Sequence, residues 1–320
     1  MIRAGIIGGA GYTAGELIRL LVNHPQVRIS FVHSTSNAGN PVCSMHQGLI
    51  GDLDTVFCDS YDLNEADVLF LCGAHGKSRE FWGQNECPAA LKVIDLAQDF
   101  RDESEGYVYG LPEWQSSKIS SARKLANPGC FATAIQLALL PLAKAGLLSS
   151  EINVTAITGS TGAGVKPGAT THFSWRNNNI SAYKVFTHQH LIEIRRNLSL
   201  LQPQSLPPVN FVPMRGDFAR GIFASVTTDC ALSAEELSAL YKEYYRDAAF
   251  TFVSDRAVDL KEVVNTNKCV LSVEKHEGKA VIASVIDNLL KGASGQAVQN
   301  MNLMFSLPEN TGLRLKASAF

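Results

Sequence analysis

The sequence predicts two domains of different class. The first is an α/β domain on a Rossmann-like, doubly wound parallel sheet. The second is an α+β domain on a mostly antiparallel sheet. Three observations carry this. A short apolar run, Ile2 to Ile7, meets a glycine-rich turn and then a helical face. Apolar strand candidates follow at Val27–His33, Val68–Cys72 and Lys92–Leu96. From Asn153 onward strand-like runs dominate, with helices segregated between them. At 320 residues, 46% of them hydrophobic, the chain is long enough for two cores.

The composition excludes several classes. A net charge of −2 advertises neither nucleic acid nor an anionic membrane as partner. No apolar run reaches the roughly 18 residues of a membrane span. The richest stretch, Ala134 to Leu148, is broken by Gln136, Pro141 and Lys144. Met1-Ile2-Arg3 leads straight into a strand candidate, so no signal peptide is expected. Seven dispersed cysteines, with no Cys-x-x-Cys and no metal-ligand spacing, suit a reducing cytoplasm and predict no metal site. Most of them read as core fillers, such as Cys72 and Cys269 in apolar runs.

Taken in order, the first strand runs into Gly8-Gly9-Ala10-Gly11-Tyr12-Thr13-Ala14-Gly15, and Leu17, Ile18, Leu20 and Leu21 then mark a helical face ending at His24-Pro25. A strand, glycine turn and helix in this order let backbone N–H groups approach a pyrophosphate. Gly8, Gly9, Ala10, Gly11, Tyr12 and Thr13 are therefore expected to bind a dinucleotide. The second strand ends at His33-Ser34-Thr35-Ser36, with no carboxylate to repel a ribose 2′-phosphate. That favours NADP(H) over NAD(H), with Ser34, Thr35 and Ser36 as its hydroxyl contacts; the plain alternative is an ordinary loop. The next two strands end at Gly73-Ala74-His75-Gly76 and Ala97-Gln98-Asp99-Phe100-Arg101, the edge where open parallel sheets bind ligands. This places Ala74, His75 and Arg101 near a ligand. Alternatively, His75 is a solvated loop residue and Arg101 pairs with Asp99 or Asp102.

Asn127-Pro128-Gly129-Cys130 precedes a helix pattern over Thr133–Ala145. Such a turn can set a thiol at a helix amino end, where unpaired N–H groups favour the thiolate. Strand candidates then fall at Asn153–Thr158, Val209–Val212, Gly221–Thr228, Val270–Val273 and Ala280–Val285. A helix over Ala234–Arg246 opens with a capping box at Ser233 and Glu236. A final helix candidate, Gly292–Met304, is expected to return to the first domain. The expected division is 1–127 plus 291–320 for the cofactor domain and 128–290 for a catalytic, substrate-binding and dimerisation domain. Gly159-Ser160-Thr161-Gly162-Ala163-Gly164 reads as a ligand-lining loop after a strand, and His188-Gln189-His190 as a possible acid/base pair on a strand or loop.

These segments resemble the N-acetyl-γ-glutamyl-phosphate reductase family, within the wider group that includes aspartate-semialdehyde dehydrogenase. The similarity spans nearly the whole chain. It is clearest at Gly8–Leu17, Asp95–Arg101, Tyr109–Glu113, Asn127–Thr133, Gly159–Lys166, His188–Ile194 and Asp287–Gly292. The resemblance implies an NADPH-dependent reduction of an acyl phosphate through a thioester on Cys130, with His188 or His190 as the acid/base. It further implies Gly162 and Asn288 at the cofactor, and Arg101, Asn127, Ser160, Lys166, Lys184 and Glu193 at the substrate. A homodimer or homotetramer is expected on the same ground. The departures are specific. The family reads His-Arg-His then x-Pro-Glu-Ile, where this chain has Gln189 and Ile192. Phe131 and Ala132 replace a tyrosine and a proline after the cysteine, and Ala14 holds the third glycine position. The lost arginine leaves Lys166, Lys184, Arg215 and Arg220 as anion-binding candidates. It also motivates a rival substrate carrying a succinyl group; the same chemistry on aspartyl phosphate is a second rival. A non-catalytic NADP-sensing protein is a third reading, of another class.

Overall fold

The computed structural model describes residues 1–318, and these divide into two compact units. Unit 1 comprises Met1–Pro128 and Ala293–Arg314, and unit 2 comprises Gly129–Gly292 with residues 315–318.

Unit 1 holds six strands: β1 (Ile2–Ile7), β2 (Val27–His33), β3 (Val68–Leu71), β4 (Lys92–Asp95), β5 (Tyr107–Tyr109) and β6 (Lys124–Ala126). They form one sheet in the order β2-β1-β3-β4-β6-β5, with every pairing parallel. All four side chains of β3 are buried, as a central strand covered on both faces requires. Four helices lie between the strands: α1 (Tyr12–Leu21), the short α2 (Val42–Met45), α3 (Lys77–Gln84) and α4 (Pro112–Ser121). The apolar face read from the sequence buries Leu17, Ile18, Leu20 and Leu21 on α1. The chain order leaves β1 for β2 on one side and for β3 on the other, which puts the topological switch point at the end of β1.

Unit 2 opens with α5 (Cys130–Lys144), which starts three residues before the sequence pattern indicated. Its other elements are β7 (Ile152–Thr158), α6 (Phe173–Arg176), β8 (Ser181–Ala182), α7 (His190–Leu201), β9 (Val209–Arg215), β10 (Ile222–Asp229), α8 (Ala234–Tyr244), β11 (Thr251–Ser254), β12 (Cys269–His276) and β13 (Lys279–Ile286). The seven strands run β11-β12-β13-β10-β7-β9-β8; four pairings are antiparallel and two, β11–β12 and β7–β9, are parallel. Burial alternates along β7, β9 and β10, the mark of a sheet covered on one face. The covering element is α5, whose residues 131 to 143 are all buried. The capping box of α8 forms as read, with Ser233 and Glu236 exchanging side-chain and backbone bonds.

A π-helical turn, Leu290–Ser294, leads back to unit 1, where α9 (Gly295–Met304) packs on α1 and α4. This last helix buries polar side chains, each with a bond partner. Gln296 and Asn300 donate to the Gly110 carbonyl, and Asn302 bonds the buried His24 ring. Among the described residues no helix is long and apolar enough to cross a membrane.

Candidate active site

The glycine turn of unit 1 sits at the switch point. Gly8 takes φ +80°, and a side chain there would strike the Cys72–Gly73 backbone at the end of β3. The Gly9 amide donates to the His33 carbonyl at 2.9 Å, and Gly11 is the residue before α1. No atom outside its chain neighbours lies within 4 Å of where a Gly11 side chain would begin, so the chain is open at the start of α1, where a helix leaves its first amides unpaired. The glycine that meets a close neighbour farther along is Gly15 rather than the residue at Ala14. His46 lies over it and also bonds the Gly9 carbonyl at 2.7 Å. His46 went unnoticed in the sequence because only the fold brings it to the turn. Ser34 is buried while Thr35 and Ser36 are exposed, and Asn37 donates to the hydroxyls of Ser34 and Ser36.

Ala74 and His75 are exposed on the loop after β3. Arg101 pairs with neither aspartate candidate. It is buried and donates to the backbone carbonyls of Asn127 (2.9 Å) and Leu96 (3.2 Å). Asn127 is buried as well; its side chain donates to the Ala293 carbonyl and accepts from Asn300. Asp99 closes the start of α3 by accepting from the amides of Gly76, Ser78 and Arg79.

In unit 2, Cys130 is the first residue of the 15-residue α5, and Gly129 is its N-cap in extended conformation. The helix end provides unpaired amides and a positive dipole, both of which favour a thiolate. Gly292 presses against the cysteine from behind: a side chain there would stand 2.7 Å from Cys130 Cβ. The segment carrying Gly292 is tied by Asp287, which is fully buried. Its carboxylate accepts two bonds from Arg220 (3.0 and 3.1 Å) and the amides of Asn265, Leu289 and Leu290. Arg220 thereby forms an internal ion pair with it. Asn288 accepts from the Gly221 amide and donates to Thr161 in the Gly159–Gly164 loop. In that loop Ser160 donates its amide to the Phe218 carbonyl, Gly162 lies beside Thr158 and Asn288, and Lys166 is exposed.

His188 and His190 do not lie on a strand. His190 is the first residue of α7 and His188 stands two residues before it. Both rings are buried, 4.6 Å apart centre to centre, and both meet the edge of Phe131, the neighbour of Cys130. His188 Nδ1 accepts the His190 amide at 3.2 Å, so the neutral ring carries its proton on Nε2. Burial, then the nearby cations Lys184 and Arg215, hold its pKa down at about 4.

Tyr183 completes the cluster. Its ring meets His188 at 5.8 Å and lies under the Arg215 guanidinium at 4.6 Å. Burial and the Cys130 thiolate push its hydroxyl up to about 12, with Arg215 opposing. Arg215 Nε is buried without a hydrogen-bond partner. Lys184 is exposed and donates to Gln189, the residue standing where the family has arginine, at 3.0 Å. Glu193 is buried and accepts the Gly129 amide at 3.2 Å, so its carboxylate touches the N-cap of α5. Cys130, Tyr183, His188, His190, Glu193 and Arg215 thus gather in one unit. Tyr183 was missed because nothing in its spacing separates it from an ordinary loop aromatic.

A parallel nucleotide-type sheet, a helix-end thiol and paired histidines define a semialdehyde-dehydrogenase type of protein. Family models agree: residues 3–122 match the semialdehyde dehydrogenase NAD binding domain and residues 130–288 the semialdehyde dehydrogenase dimerisation domain. Relatives named N-acetyl-γ-glutamyl-phosphate reductase are 61% identical in Azobacteroides pseudotrichonymphae and 58% in Phocaeicola vulgatus, over the full length of both chains. The chain belongs to the N-acetyl-γ-glutamyl-phosphate reductase family. The fold is also that of aspartate semialdehyde dehydrogenase II from Vibrio cholerae (TM-score 0.75, 16% identity, 96% of this chain and 98% of that one). Aspartate semialdehyde dehydrogenase from Candida albicans, solved with NADP, is similar too (TM-score 0.72, 13% identity, 97% and 99%).

Proposed function

We propose that this chain reduces N-acetyl-γ-glutamyl phosphate to the corresponding semialdehyde, with NADPH as reductant and a thioester on Cys130 as intermediate. The observation that carries the mechanism is the placement of Cys130 at the first position of α5, where its charge reaches Tyr183 and its neighbour Phe131 packs on His188. The relatives' shared name supports the substrate.

The Cys130 sulfur attacks the acyl carbon, and the bond from that carbon to the phosphate oxygen breaks. Phosphate leaves with the electron pair. The nicotinamide, when bound, supplies the hydride that reduces the thioester. The carbon–sulfur bond then breaks, the aldehyde departs and the thiolate reforms. His188 is uncharged at neutral pH and presents Nε2–H, so its role is to donate a hydrogen bond to the oxygen where charge develops. Arg215 and Lys184 supply positive charge for the substrate's anionic groups. Unit 1 fits the cofactor through its glycine turn at Gly8–Thr13, which is open at Gly11, and the strand end at Ser34–Ser36 favours NADPH because it lacks a carboxylate. The open face of the unit 2 sheet leaves Ile157, Val212 and Met214 only partly covered, which supports self-association into a dimer or tetramer. Cysteines free of disulfides and this chemistry suit the cytoplasm.

Cys130→Ser is expected to lower turnover at least about a thousandfold while leaving NADPH affinity within about twofold and tighter than NADH affinity. Steady-state rates in the reverse direction, on the acetylated semialdehyde with NADP⁺ and phosphate, measure this. Wild-type turnover by the serine variant would remove Cys130 as nucleophile. Turnover only with the succinylated semialdehyde would replace the acetyl substrate.

A further inference from the structure

Helices α5 and α7 lie side by side and run the same way. Glu193, near the start of α7, takes the amide of Gly129 just before α5. One turn on, Asn197 Nδ2 donates to Gln136 Oε1 at 2.9 Å, two turns into α5. Glu193 and Asn197 are four apart, hence on one face of α7, and that face is buried with Ile194 and Leu198. Gln136 and Asn197 are fully buried, although both sit among apolar side chains. Their remaining groups are engaged: Gln136 Nε2 donates to the Ala132 carbonyl at 3.0 Å, and Arg196 donates to Asn197 Oδ1 at 3.0 Å. A pair of leucines would fill such a place at no polar cost. Apolar packing alone lets two helices slide or roll slightly, whereas two hydrogen bonds at different heights allow one register.

The consequence lies at the helix starts. Cys130 is the first residue of α5, and His190 is the first residue of α7. Any slip between the helices moves the thiol against the histidines, and a displacement of about 1 Å can cost about a hundredfold in rate. We propose that the Asn197–Gln136 bond, together with the Glu193–Gly129 bond, is a two-point latch that sets the distance between the thiol and the histidines. Asn197 and Gln136 are positioning residues, since neither touches the reacting atoms. This rests on the reading of Cys130 and the histidines as the reacting groups.

The test compares three proteins: Asn197→Leu, the pair Gln136→Leu with Asn197→Leu, and the exchange Gln136→Asn with Asn197→Gln. Thermal unfolding, NADPH affinity, kcat, and the pH midpoint for alkylation of Cys130 are measured on each. The double leucine protein is expected to stay folded, because both partners of the bond are replaced together. Its kcat should fall tenfold or more with NADPH affinity unchanged, and its alkylation midpoint should move. The exchanged pair, which keeps both amides, should recover kcat to within about threefold of the wild type. A double leucine protein with wild-type kcat and midpoint would overturn the latch, as would a kcat that falls only with the folded fraction. Should the leucine proteins fail to fold, failure of the folded exchange protein to recover kcat overturns it equally. Failure of the underlying reading shows elsewhere, as undiminished turnover by Cys130→Ser.

Discussion

His188 meets an environment that opposes its charged form, and the sign of the consequence is definite. An unfolded chain protonates this ring as the pH falls through 6.5, whereas the folded ring resists until about 4. Between those values the unfolded state binds the extra proton, so acidification weakens the fold. Above 6.5 both states are neutral and the group contributes nothing. The full difference is about 3 kcal/mol, of which about 2 kcal/mol is felt at pH 5. His188→Gln should therefore lose less stability than the wild type between pH 7.5 and 5, as read by hydrogen exchange of the slowest unit 2 amides. Equal acid losses would mean that the ring is not held neutral. The same low pKa changes the role read from the sequence. A histidine beside a catalytic cysteine suggests an imidazolium, but this one sits between cations with Nδ1 already accepting an amide. Neither fact is visible in the spacing of His188-Gln189-His190.

At the scale of the element, α5 contains a proline that its sequence pattern does not forgive. Pro141 has no N–H for the Leu137 carbonyl one turn earlier. The Tyr245 hydroxyl, just past the end of α8, takes that bond at 2.5 Å, and Tyr241 bonds the next carbonyl, Ala138, at 2.6 Å. Tyr245→Phe should cost about 1–3 kcal/mol, since it leaves a buried carbonyl without its donor. Combined with Pro141→Ala, whose N–H can return to Leu137, the loss should shrink by more than about 0.5 kcal/mol beyond additivity in a thermal-unfolding cycle. Strict additivity would deny the substitution of hydroxyl for amide. The legible elements were those with strong apolar runs: β1 and β2 match their sequence bounds residue for residue. The three-residue strands β5 and β6 were too short to show a period, and α3 carries a mostly polar surface with little stripe to read. The start of α7 was hidden because no capping side chain announces it. Of the site, the thiol at a helix start was legible. Arg101, Arg220 and Asn288 read as ligand candidates in a string of letters, and their bonds to the frame could not be read there.

For the whole molecule, acid acts on the two units through different buried groups. Asp95, at the end of β4 and fully buried, has its pKa raised by burial to about 6, against 3.8 for an ordinary aspartate. Its favourable term is complete below 3.8 and is lost as the pH rises through 6. Moving from pH 7.5 to 5 should thus gain about 1.4 kcal/mol from Asp95, while His24 and His33 of the same unit, whose pKa values burial lowers, pull the other way as His188 does in unit 2. Hydrogen exchange resolved by segment, corrected for intrinsic rates, should show Asp95→Asn losing more protection in β3 and β4 than the wild type between pH 7.5 and 5. Equal acid responses of the two proteins would contradict the assignment. Unit 1 has one further property, set by the order of its pieces. Its last helix, α9, comes from the far end of the chain, after all of Gly129–Gly292. During synthesis at about 5–20 residues per second, the first sheet waits roughly ten to thirty seconds for the helix that supplies the partners of Gly110, Asn127 and His24. Over that interval the half-made cofactor unit exposes apolar surface on the ribosome, and a chain cut short after unit 2 would never cover it.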